Sequence, residues 1–237
     1  MENKIYNDDC FDVFDKIEKD TVDMVLVDLP YGQTACEWDI NIDLQKMWKE
    51  LKRICKGKCQ FVFFTTTKYG NDLINSNKKY FKYDLVWKKH NAVGFFNCNR
   101  MPLRSHEMIY IFINGKLSYN PQKVPGEPYY RHRGERKKGV YGVALSKEII
   151  NTGERFPRSV LKYGRDKEKL HSTQKPLELC EWLIKTYSNE GDLVMDFCMG
   201  SGTTVVGCLN TNRRYIGVEK DKDILKKADE RINKFIV

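Results

Sequence analysis

Apolar positions along the chain alternate between two periods. Val22-Asp23-Met24-Val25-Leu26-Val27 is a short, largely β-branched run, the mark of a buried strand, and it ends at Asp28. Leu44, Met47, Trp48, Leu51, Ile54 and Cys55 then follow i, i+3, i+4, i+7 spacing, which predicts an amphipathic helix with Gly57 as its stop. Ahead of these, Lys4-Ile5-Tyr6 reads as a strand. Asn7 to Cys10 reads as a turn and helix start, with Phe11, Phe14 and Ile17 on the inner face. Gln60 to Phe64, Tyr83 to Trp87 and Met108 to Ile113 are further strand patterns, with a short helix around 71–76. Near the other end, Pro176 stands at a first helical position before Leu177, Cys180, Leu183, Ile184 and Tyr187. Leu193-Val194-Met195 ends at Asp196, Gly200-Ser201-Gly202-Thr203-Thr204 opens a helix, and Tyr215-Ile216-Gly217-Val218 ends at Glu219. A last helix begins near Asp223. Strand and helix alternate, which predicts an α/β fold.

The pattern fails between about Lys116 and Leu170. Pro121, Pro125, Pro128 and Pro157 interrupt it, and Tyr129-Tyr130-Arg131-His132-Arg133-Gly134-Glu135-Arg136-Lys137-Lys138 interleaves rings with bases. That mixture suits contacts to phosphates and to bases or grooves. Charge sharpens the contrast. The 237 residues carry a net +9, yet residues 82–170 hold 19 Lys or Arg against 8 Asp or Glu, leaving 22 against 24 elsewhere. The positive excess is therefore confined to the middle, as a polyanionic partner would require. The eight cysteines form no Cys-X2-Cys pair, so no structural metal is expected, and several sit in apolar patterns as reduced thiols do. No signal peptide and no membrane-length apolar run is present, and the expected location is cytoplasmic.

Two stretches carry candidate chemistry. Asp28-Leu29-Pro30-Tyr31-Gly32 follows a strand, so its carboxylate lies where ligands of open α/β sheets bind. Pro30 stiffens the turn, and Tyr31 adds a ring, a plausible grip for a flat amine-bearing group. Taken alone, the same residues are ordinary turn vocabulary. The second stretch, strand–glycine loop–helix–strand–acid from Leu193 to Glu219, is the nucleoside-binding half of a doubly wound fold. Val205 stands where a dinucleotide fingerprint needs its third glycine, and no Gly-Lys-Ser/Thr follows. A nucleoside with a short charged tail remains, a description that S-adenosylmethionine meets.

With both stretches in view, the chain resembles the permuted β-group of amino-group DNA methyltransferases. Its Asp28-Leu29-Pro30-Tyr31 is similar to that group's Asp-Pro-Pro-Tyr. Asp196-Phe197-Cys198-Met199-Gly200-Ser201-Gly202-Thr203-Thr204 is similar to its Asp-Pro-Phe-X-Gly-Ser-Gly-Thr-Thr. His171 to Glu178, Tyr215 to Glu219, and Trp87 through Glu107 also resemble family segments, in family order. Leu29 departs from the usual proline, and Phe197-Cys198 from the usual Pro-Phe.

The resemblance implies a doubly wound, mostly parallel Rossmann-like sheet of the S-adenosylmethionine-dependent methyltransferase type, with permuted motif order. Residues 1–115 would form its catalytic half, 116–170 an inserted target-recognition region, and 171–237 its cofactor half. By the same resemblance, Asp9, Cys10, Ser172, Thr173, Lys175, Asp196, Gly200, Gly202 and Glu219 would bind the cofactor. Asp28, Leu29, Pro30 and Tyr31 would hold the exocyclic amine of a flipped adenine for direct in-line methyl transfer. Lys88, Lys89, Arg100, Arg104, Tyr129, Tyr130, Arg131, Arg133, Arg136, Lys137 and Lys138 would contact double-stranded DNA, with Phe96 a candidate for contacts beside the target base. A second copy of the chain and a cognate restriction endonuclease stay open as partners. The cytosine amine is the nearest alternative target. A nucleotide-dependent oxidoreductase and a non-catalytic nucleic-acid-binding module are more distant ones.

Overall fold

The structure is a computed structural model that describes residues 2–30, 32, 41–134, 147–167 and 174–236. Strand β1 (Lys4–Tyr6) hands over to helix α1 (Cys10–Lys16) at Asp9, whose carboxylate accepts the Phe11 N–H at 3.0 Å. This satisfies one of the donors that a helix start leaves open. Strand β2 (Val22–Asp28) sends Val25 and Val27 into one apolar cluster and Met24 and Leu26 into another. Burial on both faces explains why its sequence reads as a run and not as an alternation.

Helix α2 (Leu44–Ile54) is capped by Asp43 and buries Met47, Trp48, Leu51 and Ile54. The Trp48 ring meets those of Phe61, Phe63 and Phe112 at centroid distances of 5.4, 5.6 and 5.2 Å. Removing that indole would cost about 3–5 kcal/mol. The helix stops before Gly57. Cys55 is already extended and pairs with Val22, so Gly57 lies inside strand β3 (Cys55–Thr65) and is not the helix stop expected from sequence. Helix α3 (Thr67–Ser76), strand β4 (Phe81–Val93) and strand β5 (Arg104–Asn114) follow. Each runs longer than its apolar pattern; β4 and β5 do so because polar residues extend their hairpin at its exposed end.

Four short strands come next: β6 (Val124–Pro125), β7 (Tyr129–Arg133), β8 (Lys147–Asn151) and β9 (Glu154–Arg155). They pair only among themselves, β6 with β9 and β7 with β8, and belong to a separate compact unit, Pro121–Arg158. Strand β10 (Val160–Lys162) belongs to the larger unit. That unit is completed by helix α4 (Leu177–Tyr187), strand β11 (Leu193–Asp196), helix α5 (Thr203–Asn210), strand β12 (Arg214–Val218) and helix α6 (Lys222–Ile232).

The larger unit is built on an eight-stranded sheet of order β1-β12-β11-β2-β3-β5-β4-β10. Neighbours are parallel except where β5 pairs with β3 and β4, so β5 alone runs against the rest. Helices α1, α2 and α3 contribute to the cluster on one face of the sheet, and α4, α5 and α6 to that on the other. From β2 the chain passes through α2 outward to β3, and from β11 through α5 outward to β12 on the opposite side. The strand order therefore reverses between β2 and β11, and a crevice opens beyond their carboxyl ends. No described helix is long and apolar enough to cross a membrane.

Candidate active site

A cavity of about 760 Å³ occupies that crevice, within the size range of small-molecule and cofactor sites. Its walls bring together Asp28, Leu29 and Pro30 from the end of β2 with Asp9, Cys10, Lys175, Asp196, Gly200 and Glu219. Residues more than 200 positions apart thus share one cleft. Gly202 stands just behind the wall, in the left-handed conformation that starts α5 (φ 73°). Tyr31, Ser172 and Thr173 lie outside the described residues.

Asp28 meets the Lys175 ammonium through Oδ2. Lys175 also lies 3.4 Å from Glu107 on β5, which in turn pairs with Lys89 of β4. The four form an alternating chain of charges, with Lys175 only 10% exposed and its ammonium 5.3 Å from the Phe64 ring centroid. Burial pushes the Asp28 carboxyl above its ordinary range, with Lys175 acting against it. Burial also works on Glu107, but there Lys175 and Lys89 together win and hold it below its ordinary range. Lys175, expected from sequence on the cofactor side, is thus placed against the Asp28 carboxylate. Lys89, expected to meet DNA, is 12% exposed and engaged by Glu107. Nothing in the local sequence marks Glu107 as a site residue. Its role is invisible without the antiparallel register that sets Trp87 opposite it and brings β5 beside β3.

Leu29, where the resemblance led to expect proline, has its side chain buried in the core. An anchored side chain replaces a ring in holding this turn, and Pro30 fixes the next φ.

On the other side of the switch point, the loop after β11 is tied to β12. Met199 N–H donates to Val218 O at 2.9 Å, and Gly202 N–H donates back to Met199 O at 2.9 Å. Gly200, at φ 52°, donates its N–H to Glu219 Oε2 at 2.9 Å, while Asp221 N–H reaches Oε1 at 2.8 Å. Each oxygen of Glu219 is positioned by one main-chain donor and keeps acceptor capacity for a hydroxyl. Burial lifts the Glu219 carboxyl above its ordinary range despite those donors. Asp196 is buried, accepts the Cys198 N–H at 3.1 Å, and is pushed up to about 7 by burial, with Thr204 and Cys198 opposing and Asp28 and Glu219 reinforcing. Asp9 is drawn to the same cleft by the Lys220 ammonium at 3.1 Å, and Asn7 donates to the Glu219 and Lys220 carbonyls. Burial raises Asp9, but the Phe11 N–H and Lys220 outweigh it and leave the carboxyl below its ordinary range. Burial, reinforced by Asp9, pushes the Cys10 thiol up to about 12, so it is no nucleophile at neutral pH.

The residues expected to meet DNA divide between the two units. Lys88 and Arg100 are exposed and Arg104 half-buried at the β4–β5 hairpin. In the smaller unit, Tyr129, Arg131 and Arg133 share one face of β7, since successive side chains of a strand alternate. Tyr130 projects from the other face and donates to Glu148 at 2.8 Å. Arg136, Lys137 and Lys138 lie outside the described residues.

The family model N6_N4_Mtase, described as DNA methylase, matches residues 22–230. The Type II methyltransferase M1.MboII of Moraxella bovis is 26% identical over 254 residues, spanning 98% of this chain and 96% of that protein. The orphan methyltransferase M.BamHII of Bacillus amyloliquefaciens is 28% identical over 246 residues, 92% of this chain and 91% of its own. Among solved structures, the M1.HpyAVI–SAM complex is similar with a TM-score of 0.70 at 23% identity, covering 97% of this chain and 98% of that one. The cytosine-N4-specific PvuII DNA methyltransferase is similar with a TM-score of 0.67 at 14% identity, covering 99% and 91%. The structural likenesses carry the fold; the family match extends over nearly all of the chain, from β2 into α6, and the protein belongs to the N6/N4 DNA methylase family.

Proposed function

We propose that the protein transfers the methyl group of S-adenosylmethionine to the N6 amine of an adenine flipped out of duplex DNA. One observation carries this reading: the Asp28 carboxylate and the Leu29-Pro30 turn open onto the same cavity as Asp196, Gly200 and Glu219. The donor set fits the cofactor. Glu219 suits a ribose diol, and Asp196, buried with no cationic partner among the described residues, suits the positive charge of the methionine part. Bound there, the cofactor supplies an electrophilic methyl group.

The chain's own residues handle the amine. Lys175 takes Asp28 Oδ2, so Oδ1 is the oxygen that accepts one amine N–H, and the Leu29 carbonyl accepts the other. Two acceptors on the two hydrogens favour a tetrahedral nitrogen with its lone pair turned away from both, and thus available for attack. The product nitrogen carries a surplus proton, and the raised Asp28 carboxyl is placed to take it. Tyr31, next in sequence, would stack on the base. Relatives named Type II methyltransferases support a setting with a cognate endonuclease, and one named orphan supports a solitary enzyme; a cytoplasmic location and a second copy as partner belong to the same proposal.

The test is to incubate DNA with the protein and methyl-labelled cofactor, digest it, and identify the labelled nucleoside by mass spectrometry. N6-methyl-2′-deoxyadenosine is expected. N4-methyl-2′-deoxycytidine would move the target to cytosine, and unlabelled DNA would overturn the reading.

A further inference from the structure

The hairpin between β4 and β5 carries a feature that the cleft does not use. Phe95 is 74% exposed, Phe96 fully exposed and Met101 58% exposed, clustered within seven residues. Gly94, left-handed at φ 90°, turns the chain out of β4, and a short 3-10 segment, Phe95–Asn97, holds the two rings at the turn. Large apolar side chains gathered at a tip mark a contact surface.

The topology says where the tip points. β4 is parallel to β2, because β5 runs against both β3 and β4. The tip therefore lies at the same end of the sheet as Asp28. Register gives its height. Asp28 lies opposite Phe64, Phe64 opposite Ile109, and Ile109 opposite Leu85. From Ile109 the hairpin continues five residues to the Val93–Arg104 pair, about 17 Å at strand rise. Glu107, which reaches Lys175, lies two residues along that path. The rings thus stand well beyond the rim of the cleft that holds Asp28.

Charge says what they meet. Residues 85–106 contain Lys88, Lys89, Arg100, Arg104, His90 and His106 and not one Asp or Glu. Lys88, His90 and Arg100 are exposed. Aromatic rings on a carboxylate-free basic tip fit stacked bases between two phosphate strands.

We propose that Phe95 and Phe96 form a wedge that enters the duplex beside the target and fills the space left by the extruded base. The proposal rests on the base-extrusion step of the function proposed above. A wedge acts by making the extruded state accessible, so its loss matters for a paired target and little for one already unpaired.

The test uses a synthetic duplex carrying the site mapped by sequencing DNA modified by the protein. Single-turnover methyl transfer is measured with the target base paired and, in a second duplex, with the target opposite an abasic position. The double variant Phe95→Ala/Phe96→Ala should lose about tenfold or more on the paired duplex and less than about threefold on the unpaired one. Phe96→Trp should retain the wild-type ratio. Equal losses on both duplexes would overturn the wedge, as would a double variant that falls from dimer to monomer in sedimentation, since the tip would then be an interface between copies. Wild-type protein inactive on both duplexes would overturn the underlying function instead.

Discussion

Asp28 and Asp196 end neighbouring parallel strands in one cleft, and they differ in the charge set against them. Asp28 has a cation against it, Lys175, whereas among the described residues Asp196 meets neutral donors, the Thr204 hydroxyl and the Cys198 N–H. Burial raises both carboxyls, but for Asp196 it reaches about 7. A carboxylate with a built-in counter-ion can receive a neutral ligand that needs an acceptor. One without it is completed by a ligand that brings positive charge. On the function proposed above, the two ends of the switch point would divide an uncharged amine from a cationic donor before either arrives.

Removing Asp28 should break the comparison most severely. Asp28→Ala is expected to lower methyl transfer by about 10³-fold, since an acceptor and its electrostatics vanish together. Cofactor affinity, followed by calorimetric titration, should stay within about threefold. Retained turnover would mean that the amine is held elsewhere.

Asp196→Asn probes the other side with two readouts. The folded pKa of about 7 lies above the ordinary 3.8, so the contribution of Asp196 to stability is fully present below about pH 4 and is lost as pH rises through 7. At pH 8 the ionised group is a cost, and the amide removes it. The variant should melt a few degrees higher than wild type at pH 8, and show no such gain at pH 4. Its cofactor affinity should fall about tenfold or more, and wild-type affinity should rise with pH through 7. A variant that binds cofactor normally would remove Asp196 from the cationic role.

The smallest effect is expected from Lys175→Met. Losing the cation favours the neutral acid, so the Asp28 pKa rises further. The acidic limb of the kcat/KM profile should move upward by about one pH unit, with the high-pH plateau within about tenfold of wild type. An unmoved limb would show that Lys175 does not set the charge of Asp28.

The strand ends themselves were legible in the sequence, because each is announced by a local pattern. β2 is a continuous apolar run, and β11, α5 and β12 follow one another with glycines and an acid between. The order of the two motifs likewise pointed to a single cleft shared by distant segments. The ion chain Asp28–Lys175–Glu107–Lys89 was not legible, since it depends on which strands the sheet sets side by side, and β5 comes next to β3 against sequence order. Gly57 misled for a related reason: pairing of Cys55 with Val22 decided the backbone there before any glycine could. The short strands of Pro121–Arg158 are not legible in the sequence, because their residues lie outside both apolar clusters and show no alternation to read.

The pairing of β1 with β12, some 210 positions apart, has a consequence for biosynthesis. On the ribosome, the half with Asp28 and the β3–β5 pairing is made long before the strands that flank it on the other side. Until β11 and β12 emerge, β2 has an open edge and β1 has no neighbour, so the nascent chain must wait with unpaired backbone. Cofactor cannot act as a folding ligand during that wait, because the glycine loop and Glu219 are synthesised only after β2 to β5. Permuted motif order therefore places closure of the cleft after synthesis of both halves, with slow, non-local pairing as its final step.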